Sequence, residues 1–171
     1  MKSLKTFSLL PVLAFLALST NAQKLTRDYN IGKIFYAYLD IKNALVDNEG
    51  TKAEIKANEL YTLLASEPAK GLNPEQSKLV ATYLEALLIN SRHMAKTTFV
   101  DEQRPRFAKL STAMFELLKG LKINTQTIYQ QYCPTNNLYW LSDSPTITNP
   151  YYYSKDMVSE GKITAKLLPV K

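Results

Sequence analysis

The sequence predicts a mainly α protein, an antiparallel four-helix bundle that ends in a short, irregular, β-rich and aromatic cap. Four segments before residue 122 carry apolar residues at three- and four-residue spacings, the pattern of helices with one buried face. The connections between these segments are short, which favours antiparallel neighbours. From about residue 126 the pattern changes to short apolar runs separated by Pro, Asn and Gly, which indicates strands and turns.

The first two predicted helices lie before residue 70. The first, in "IGKIFYAYLDIKNALVDN", carries a single apolar stripe and is predicted to end near Asn48 and Gly50. The second, in "TKAEIKANELYTLLASEP", begins with Thr51 and Glu54 at the spacing of a capping box, in which two side chains satisfy free backbone N–H groups of the first turn. Pro68 and Gly71 are predicted to end this second helix.

The third and fourth predicted helices begin at recognisable capping residues. In "NPEQ", Asn73 can cap the third helix, the following proline suits the first helical position, and Gln76 completes a capping box. Asp101 is predicted to cap the fourth helix, with Pro105 in its first turn and Gly120 at its end. Four apolar stripes of comparable length are best buried against one another, which predicts the bundle.

The predicted cap covers about residues 126–171. "TIYQQYCP", "LYWLSD" and "GKITAKLL" have the pattern of short strands, and the segments between them are typical of turns. Six of the eleven tyrosines and the only tryptophan lie in this part of the chain. These aromatic residues either cover the bundle or form a binding face for a sugar or a peptide, and the first alternative is favoured.

Residues 1–22 have the layout of a cleaved secretory signal peptide. A basic start at Lys2 and Lys5 precedes an apolar run that ends in small and polar residues, with Thr20 and Ala22 placed for signal-peptidase cleavage. The run is too short and too interrupted for a membrane span, although an uncleaved anchor is the alternative. We expect residues 23–171 to form one exported, periplasmic domain that is not an integral membrane protein after cleavage.

Composition and motifs exclude several function classes. Basic residues exceed acidic ones by 21 to 15, but they are spread along the chain without a run of like charges, so no nucleic-acid partner is expected. The sequence has no glycine-rich phosphate loop, no paired-histidine zinc motif and no nucleophile elbow. We therefore expect a protein that is not an enzyme.

Cys133 is the only cysteine of the chain, so it cannot form an intramolecular disulfide. In an oxidising compartment it is a buried inert thiol, one half of an intermolecular bridge, or a metal ligand. Thiolate, imidazole and thioether groups suit Cu(I), and the chain also offers His93 and several methionines, Met157 among them. Cys133 and His93 could instead act as nucleophile and base in a thiol enzyme, although no local signature for that pair is present.

The motifs "YCP", "YWLS" and "NPYY", together with "EQR" followed by "F..LS" in the fourth helix, resemble an uncharacterised family of exported bacterial helical domains. The likeness extends from about Ile34 to Leu168. Members of that family occur alone and also fused to the adaptor (membrane fusion) subunits of copper and silver efflux pumps. The resemblance therefore implies Cu(I) or silver as the bound metal and an efflux-pump adaptor, or another envelope protein, as the partner.

The resemblance also implies a ligand set. His93 matches a histidine late in the third helix, Cys133 matches the cysteine before proline, and Met157 matches a methionine after "NPYY". These three residues are the predicted metal ligands, and they could form a trigonal Cu(I) site if the fold brings them together.

Three other positions depart from the pattern of that family. Thr135 stands where a methionine usually follows "CP", Glu160 where a second cysteine usually precedes glycine, and Arg106 where many members have a second histidine. The resemblance therefore implies a reduced ligand set. We expect a non-catalytic exported accessory protein that binds soft metal in envelope metal handling, and the alternative is a metal-free protein-interaction module of the periplasm.

Overall fold

The structure, a computed structural model, describes residues 31–66, 72–152 and 155–170. The predicted signal peptide, residues 1–22, lies outside the described residues, and so do Pro68 and Gly71, the predicted end of the second helix. Within them the chain forms four helices followed by a small three-stranded sheet. The predicted mainly α fold, a helical bundle with a β-rich C-terminal cap, is confirmed.

The four helices form the bundle: α1 covers 31–46, α2 Gly50–Ala65, α3 Pro74–Met94 and α4 Val100–Leu121. Helix α3 packs against both α2 and α4. The helices meet in one apolar core, in which Leu60, Leu87, Phe107 and Leu110 are fully buried. Burial of these apolar faces is the main stabilising contribution of the bundle.

The cap is an antiparallel sheet with the strand order β2-β1-β3, in which β1 is Ile128–Cys133, β2 is Leu138–Ser142 and β3 is Lys162–Leu167. The central strand β1 places Tyr132 opposite Tyr139 of β2 and Lys162 of β3. The pairing of β1 with β3 shifts between Gln130 and Gln131, so Thr164 is an extra residue of β3 and forms a β-bulge. A short 3₁₀ turn, Lys155–Met157, precedes β3.

The cap packs along the side of the bundle that α1 and α4 form. The buried Tyr38 hydroxyl of α1 accepts the backbone N–H of Leu141 in β2 at 2.9 Å and shares a hydrogen bond of 2.7 Å with the Ser111 hydroxyl of α4. Trp140 is fully buried and meets Tyr151 edge-on, with ring centroids 6.0 Å apart. These two aromatic residues of the cap therefore cover the side of the bundle.

The predicted start of α3 is confirmed, and the predicted start of α2 is wrong. Asn73 accepts the backbone N–H of Gln76 at 2.8 Å and the Gln76 side chain accepts that of Asn73 at 3.2 Å, which completes the capping box. Helix α2 begins at Gly50, ahead of Thr51, and no side chain caps it.

The predicted ends of α4 also differ from the structure. Its N-cap is Phe99, which makes no capping hydrogen bond with its side chain, and Asp101 lies in the first turn, where a carboxylate favours the positive end of the helix dipole. Pro105 lies inside the helix rather than in its first turn. The helix runs through Gly120 to Leu121 and ends at Lys122, which adopts the left-handed conformation with φ of 49°.

Candidate functional site

Cys133 is the last residue of β1, and its side chain is fully buried. Its Sγ donates a hydrogen bond to the Tyr152 hydroxyl at 3.4 Å, and that hydroxyl donates to Oε2 of Glu160 at 3.0 Å. Thiol, phenol and carboxylate thus form one hydrogen-bonded chain, which we call the thiol cluster. Glu160 at its outer end is exposed, whereas the thiol at its inner end is not.

The hydrogen bonds of the thiol cluster depend on a protonated Tyr152 hydroxyl. The hydrogen bond with Cys133 raises the pKa of Tyr152 to about 12; burial and the hydrogen bond with Glu160 add to the rise, and a hydrogen bond with Thr135 opposes it. The phenol therefore keeps its proton at neutral pH and can accept from the thiol while it donates to the carboxylate. This arrangement is typical of a satisfied, buried thiol rather than of an activated nucleophile.

Arg104 of α4 fixes the backbone on which Tyr152 is carried. Its buried guanidinium donates to the carbonyl oxygens of Tyr152 at 2.7 Å and of Pro150 at 2.8 Å, and also to that of Leu45 in the last turn of α1 at 3.3 Å. Burial lowers the pKa of Arg104, and the nearby Asp101 partly offsets that effect. The cation is stabilised by carbonyl oxygens and by the negative end of the α1 dipole.

Asn149 holds together the two sides of the loop that carries Tyr152 and Glu160. Its backbone N–H donates to the Val158 carbonyl at 2.7 Å, and its side-chain amide donates to the Glu160 carbonyl at 2.9 Å. Its Oδ1 accepts the backbone N–H of Tyr151 at 2.9 Å. A buried asparagine with these partners satisfies its polar groups and fixes the loop at the same time.

The thiol cluster gathers several positions to which the resemblance assigns ligands. Cys133 and Glu160 belong to the cluster, and Thr135 bonds to the same Tyr152 hydroxyl. Met157 is half-buried against the core, and its carbonyl accepts the backbone N–H of Glu160 at 3.0 Å. Among the hydrogen-bonded side chains of Cys133, Thr135, Tyr152 and Glu160, only Cys133 offers a soft metal ligand. The carboxylate, phenol and hydroxyl oxygens of the others are hard ligands.

His93 lies in a different place. It is exposed in the last turn of α3 and lines a surface depression together with Arg106 of α4. Arg104 and Arg106 are two residues apart and therefore lie about 200° apart around α4. Because Arg104 binds the backbone of Tyr152, the depression that His93 and Arg106 line is on a different face of α4, and its lining includes no member of the thiol cluster.

The predicted ligands do not form one assembled site in the part of the chain that the structure describes. There, no group of three or more His, Cys, Asp or Glu side chains is arranged to hold a metal ion. The set of His93, Cys133 and Met157 stays a prediction, and the geometry divides it between the exposed end of α3 and the buried side of the cap.

Sequence reasoning missed Tyr152, a member of the thiol cluster, and Arg104, which holds the backbone of Tyr152 in place. Tyr152 is one of three consecutive tyrosines, and no local spacing distinguishes it from its neighbours. Arg104 did leave a signal, because it precedes Phe107 by three residues and so continues the apolar stripe of α4. A charged residue on a buried stripe indicates a specific set of hydrogen-bond acceptors.

The protein is a small helical-bundle domain that has a β cap along one side and a buried, hydrogen-bonded thiol in that cap. The chain belongs to a family of proteins of unknown function (DUF3347), whose model matches residues 34–126. The match spans more than half of the 171 residues and ends before β1, so the motifs of the cap lie beyond it. No curated protein and no solved structure shows significant similarity to the chain. Among the described helices, none is long and apolar enough to cross a membrane.

Proposed function

We propose that this chain is a non-catalytic exported accessory protein that acts by binding another protein of the bacterial envelope. The observation that carries the proposal is an apolar groove between α2 and α3, lined by Tyr61, Leu84, Leu88 and Ile89. Ile89 leaves 44% of its surface exposed there. An apolar groove with polar neighbours is typical of a surface that a protein partner covers.

The thiol cluster supports a function without catalysis. A thiol enzyme requires a cysteine and a base in contact within an open cleft. Cys133 is instead buried and donates to Tyr152, while the only imidazole of the chain, His93, is exposed at the end of α3. The cluster is better suited to holding β1 and the loops around Tyr152 and Glu160 together within the cap.

The proposed partner is the periplasmic adaptor of a copper or silver efflux pump, on the basis of the family resemblance. The test is a binding titration between residues 23–171 and the purified periplasmic part of such an adaptor. Ile89→Glu is expected to weaken the complex by about tenfold or more, because it places a charge in the centre of an apolar contact. Ile55→Glu is the matched control, because Ile55 is 54% exposed on α2 and is not among the residues that line the groove.

Two outcomes would contradict this proposal. The absence of any complex at the highest soluble concentration excludes the adaptor as the partner. A complex that Ile89→Glu and Ile55→Glu weaken equally would show that the added charge, and not the groove, governs the affinity.

A second candidate function is weak binding of Cu(I) or silver. It is favoured by one observation, the meeting of Cys133, Thr135 and Glu160 around the Tyr152 hydroxyl, since these are positions to which the resemblance assigns soft ligands. The donors fit such a metal only in part, because Cys133 and Met157 supply soft sulfur while Glu160 supplies hard oxygen. If a metal binds, Cys133 is its principal ligand and the affinity is reduced by the replaced positions.

A further inference from the structure

The surface depression between the end of α3 and the first turns of α4 has more basic than acidic side chains in its lining. It has a volume of about 390 Å³ and is lined by His93, Thr97, Glu102, Pro105, Arg106 and Lys109. The four residues that α4 contributes follow one another at spacings of one to three residues and share one face of that helix. His93 approaches from the last turn of α3.

The basic side chains of this depression are not neutralised within the described part of the chain. There, no carboxylate lies within ion-pair distance of Arg106 or Lys109, and the side chain of His93 makes no hydrogen bond. Arg106 and Lys109 outnumber the single carboxylate of Glu102, so the depression carries a net positive charge. A concave surface with this balance attracts anions.

From these observations we propose that the depression is an oxyanion-binding site, which takes a ligand that presents phosphate or carboxylate oxygens. Arg106 is the central group, because a guanidinium can donate two parallel hydrogen bonds to such a ligand, and it is half-buried at the wall of the depression. Lys109 and His93 supply further donors from either side. The lining of the site includes no member of the thiol cluster and no residue of the α2–α3 groove, so the site does not depend on the proposed partner or on metal binding.

The phosphate or carboxylate oxygens that the site would bind can belong to a free oxyanion or to the acidic side chains of another protein. Two probes separate them: inorganic phosphate alone, and a short glutamate-rich peptide. His93 is the only histidine of the chain, so the carbon-bound ring protons of a single residue report on the site without assignment ambiguity. The titrations follow these signals by NMR in residues 23–171, at constant ionic strength and at one fixed, buffered pH.

The expected result is a saturable shift of the His93 signals with at least one probe. A response to phosphate identifies a site for free oxyanions, and a response to the peptide alone identifies a site for acidic protein segments. Arg106→Gln should weaken binding by about tenfold or more, because it removes a charged hydrogen bond. Glu102→Gln should tighten binding by about two- to fivefold, because it removes the opposing charge.

Arg92→Gln is the matched control. It removes the same charge from the residue next to His93, but Arg92 borders the α2–α3 groove and not the depression. The affinity of Arg92→Gln for phosphate or for the peptide should stay within about twofold of the wild-type value. Linear, non-saturable shifts with both probes would overturn the proposal, and so would equal losses in Arg92→Gln and Arg106→Gln, which would indicate general attraction to a basic surface.

Discussion

The hydroxyl of Tyr38, in the middle of α1, accepts the backbone N–H of Leu141 in β2 at 2.9 Å, across 103 positions of the chain. The same hydroxyl bonds to Ser111 of α4, and Ser111 in turn donates to the Phe107 carbonyl at 2.8 Å. One phenol therefore joins two helices to the cap. Burial raises the pKa of Tyr38, so it stays protonated as the solution becomes alkaline.

Removal of this hydroxyl is expected to destabilise the protein. Tyr38→Phe leaves the buried N–H of Leu141 without its acceptor and should lower the free energy of unfolding by about 2 kcal/mol, measured by urea denaturation. Tyr36→Phe is the control from the same helix, because the Tyr36 side chain is 55% exposed and its hydrogen bond to Gln126 is long, at 3.4 Å. That variant should stay within about 0.5 kcal/mol of the wild type. Equal losses in both variants would contradict the role assigned to Tyr38.

Arg104 gives a second prediction about the attachment of the cap. Arg104→Gln removes the charged donor that joins the carbonyls of Leu45, Pro150 and Tyr152, and should cost about 3 kcal/mol of unfolding free energy. Hydrogen exchange should also become faster in the segment from Asn149 to Tyr152, because its anchor on α4 is lost.

The matched control for Arg104 is two residues away on the same helix. Arg106→Gln makes the same change at a half-buried position that bonds to no carbonyl of the cap, and should alter stability by less than about 0.5 kcal/mol. If Arg106→Gln proved as destabilising as Arg104→Gln, the loss would reflect helix charge rather than the hydrogen bonds of Arg104.

The helix starts show which parts of the fold a sequence can predict. The capping box of Asn73 and Gln76 involves residues three apart, so the sequence holds all the information it needs. The start of α2 depends instead on distant residues. Gly50 lies so close to the backbone of Thr98 that a Cβ would overlap the Thr98 carbonyl oxygen, and the Gly50 carbonyl accepts from Gln103 at 2.9 Å. Tertiary contacts therefore place that helix start ahead of the pair Thr51 and Glu54.

The candidate site was predictable to a similar extent. Cys133 stood out because it is the only cysteine, and composition alone reveals that. Its hydrogen-bond partner Tyr152 is 19 residues away and is reached through a loop that Arg104 and Asn149 hold in place. The position of His93 followed from helix periodicity, but the side of the bundle on which it lies depends on how α3 packs against α4.

The thiol cluster predicts a dependence of stability on alkaline pH. The pKa of Tyr152 rises to about 12 in the folded protein, against an ordinary value of about 10 in the unfolded chain. The folded state then holds its proton more tightly, so the contribution of Tyr152 is complete below pH 10 and is lost as the pH rises from about 10 to about 12. Urea denaturation of the wild type and Tyr152→Phe over this range should give curves that converge at high pH, whereas parallel curves would contradict the raised pKa.

The accessibility of Cys133 provides a kinetic prediction. The thiol is fully buried behind Tyr152, so a chromogenic disulfide reagent should modify it at least about a hundredfold more slowly than it modifies the unfolded chain, if local opening costs about 3 kcal/mol. Tyr152→Ala should remove most of this protection. Tyr139→Ala is the control, since Tyr139 is a partly exposed tyrosine of the same cap whose ring packs against Tyr132 and is not hydrogen-bonded to the thiol cluster. Fast modification of the wild type would show that the cluster is open in solution.

An anaerobic titration with Cu(I) against a competing chromophoric chelator tests the metal candidate directly. If the cap retains a soft-metal site, one equivalent binds and Cys133→Ser abolishes the competition, because the only thiolate is lost. Met157→Leu should then weaken binding by about tenfold, as a second sulfur ligand is removed. His93→Gln should change the affinity by less than about twofold, because His93 lines a surface depression that includes no member of the thiol cluster.

The three variants separate the two candidate functions. Competition that Cys133→Ser does not alter, or none at all, contradicts a metal site at the thiol cluster and leaves the protein-interaction module. Loss of binding in His93→Gln as well would require the exposed His93 to reach the buried thiol, and hence a rearrangement of the cap on metal binding. Such a rearrangement breaks the hydrogen bonds of Tyr152, so the metal-bound protein would then show faster hydrogen exchange in β1 and around Tyr152.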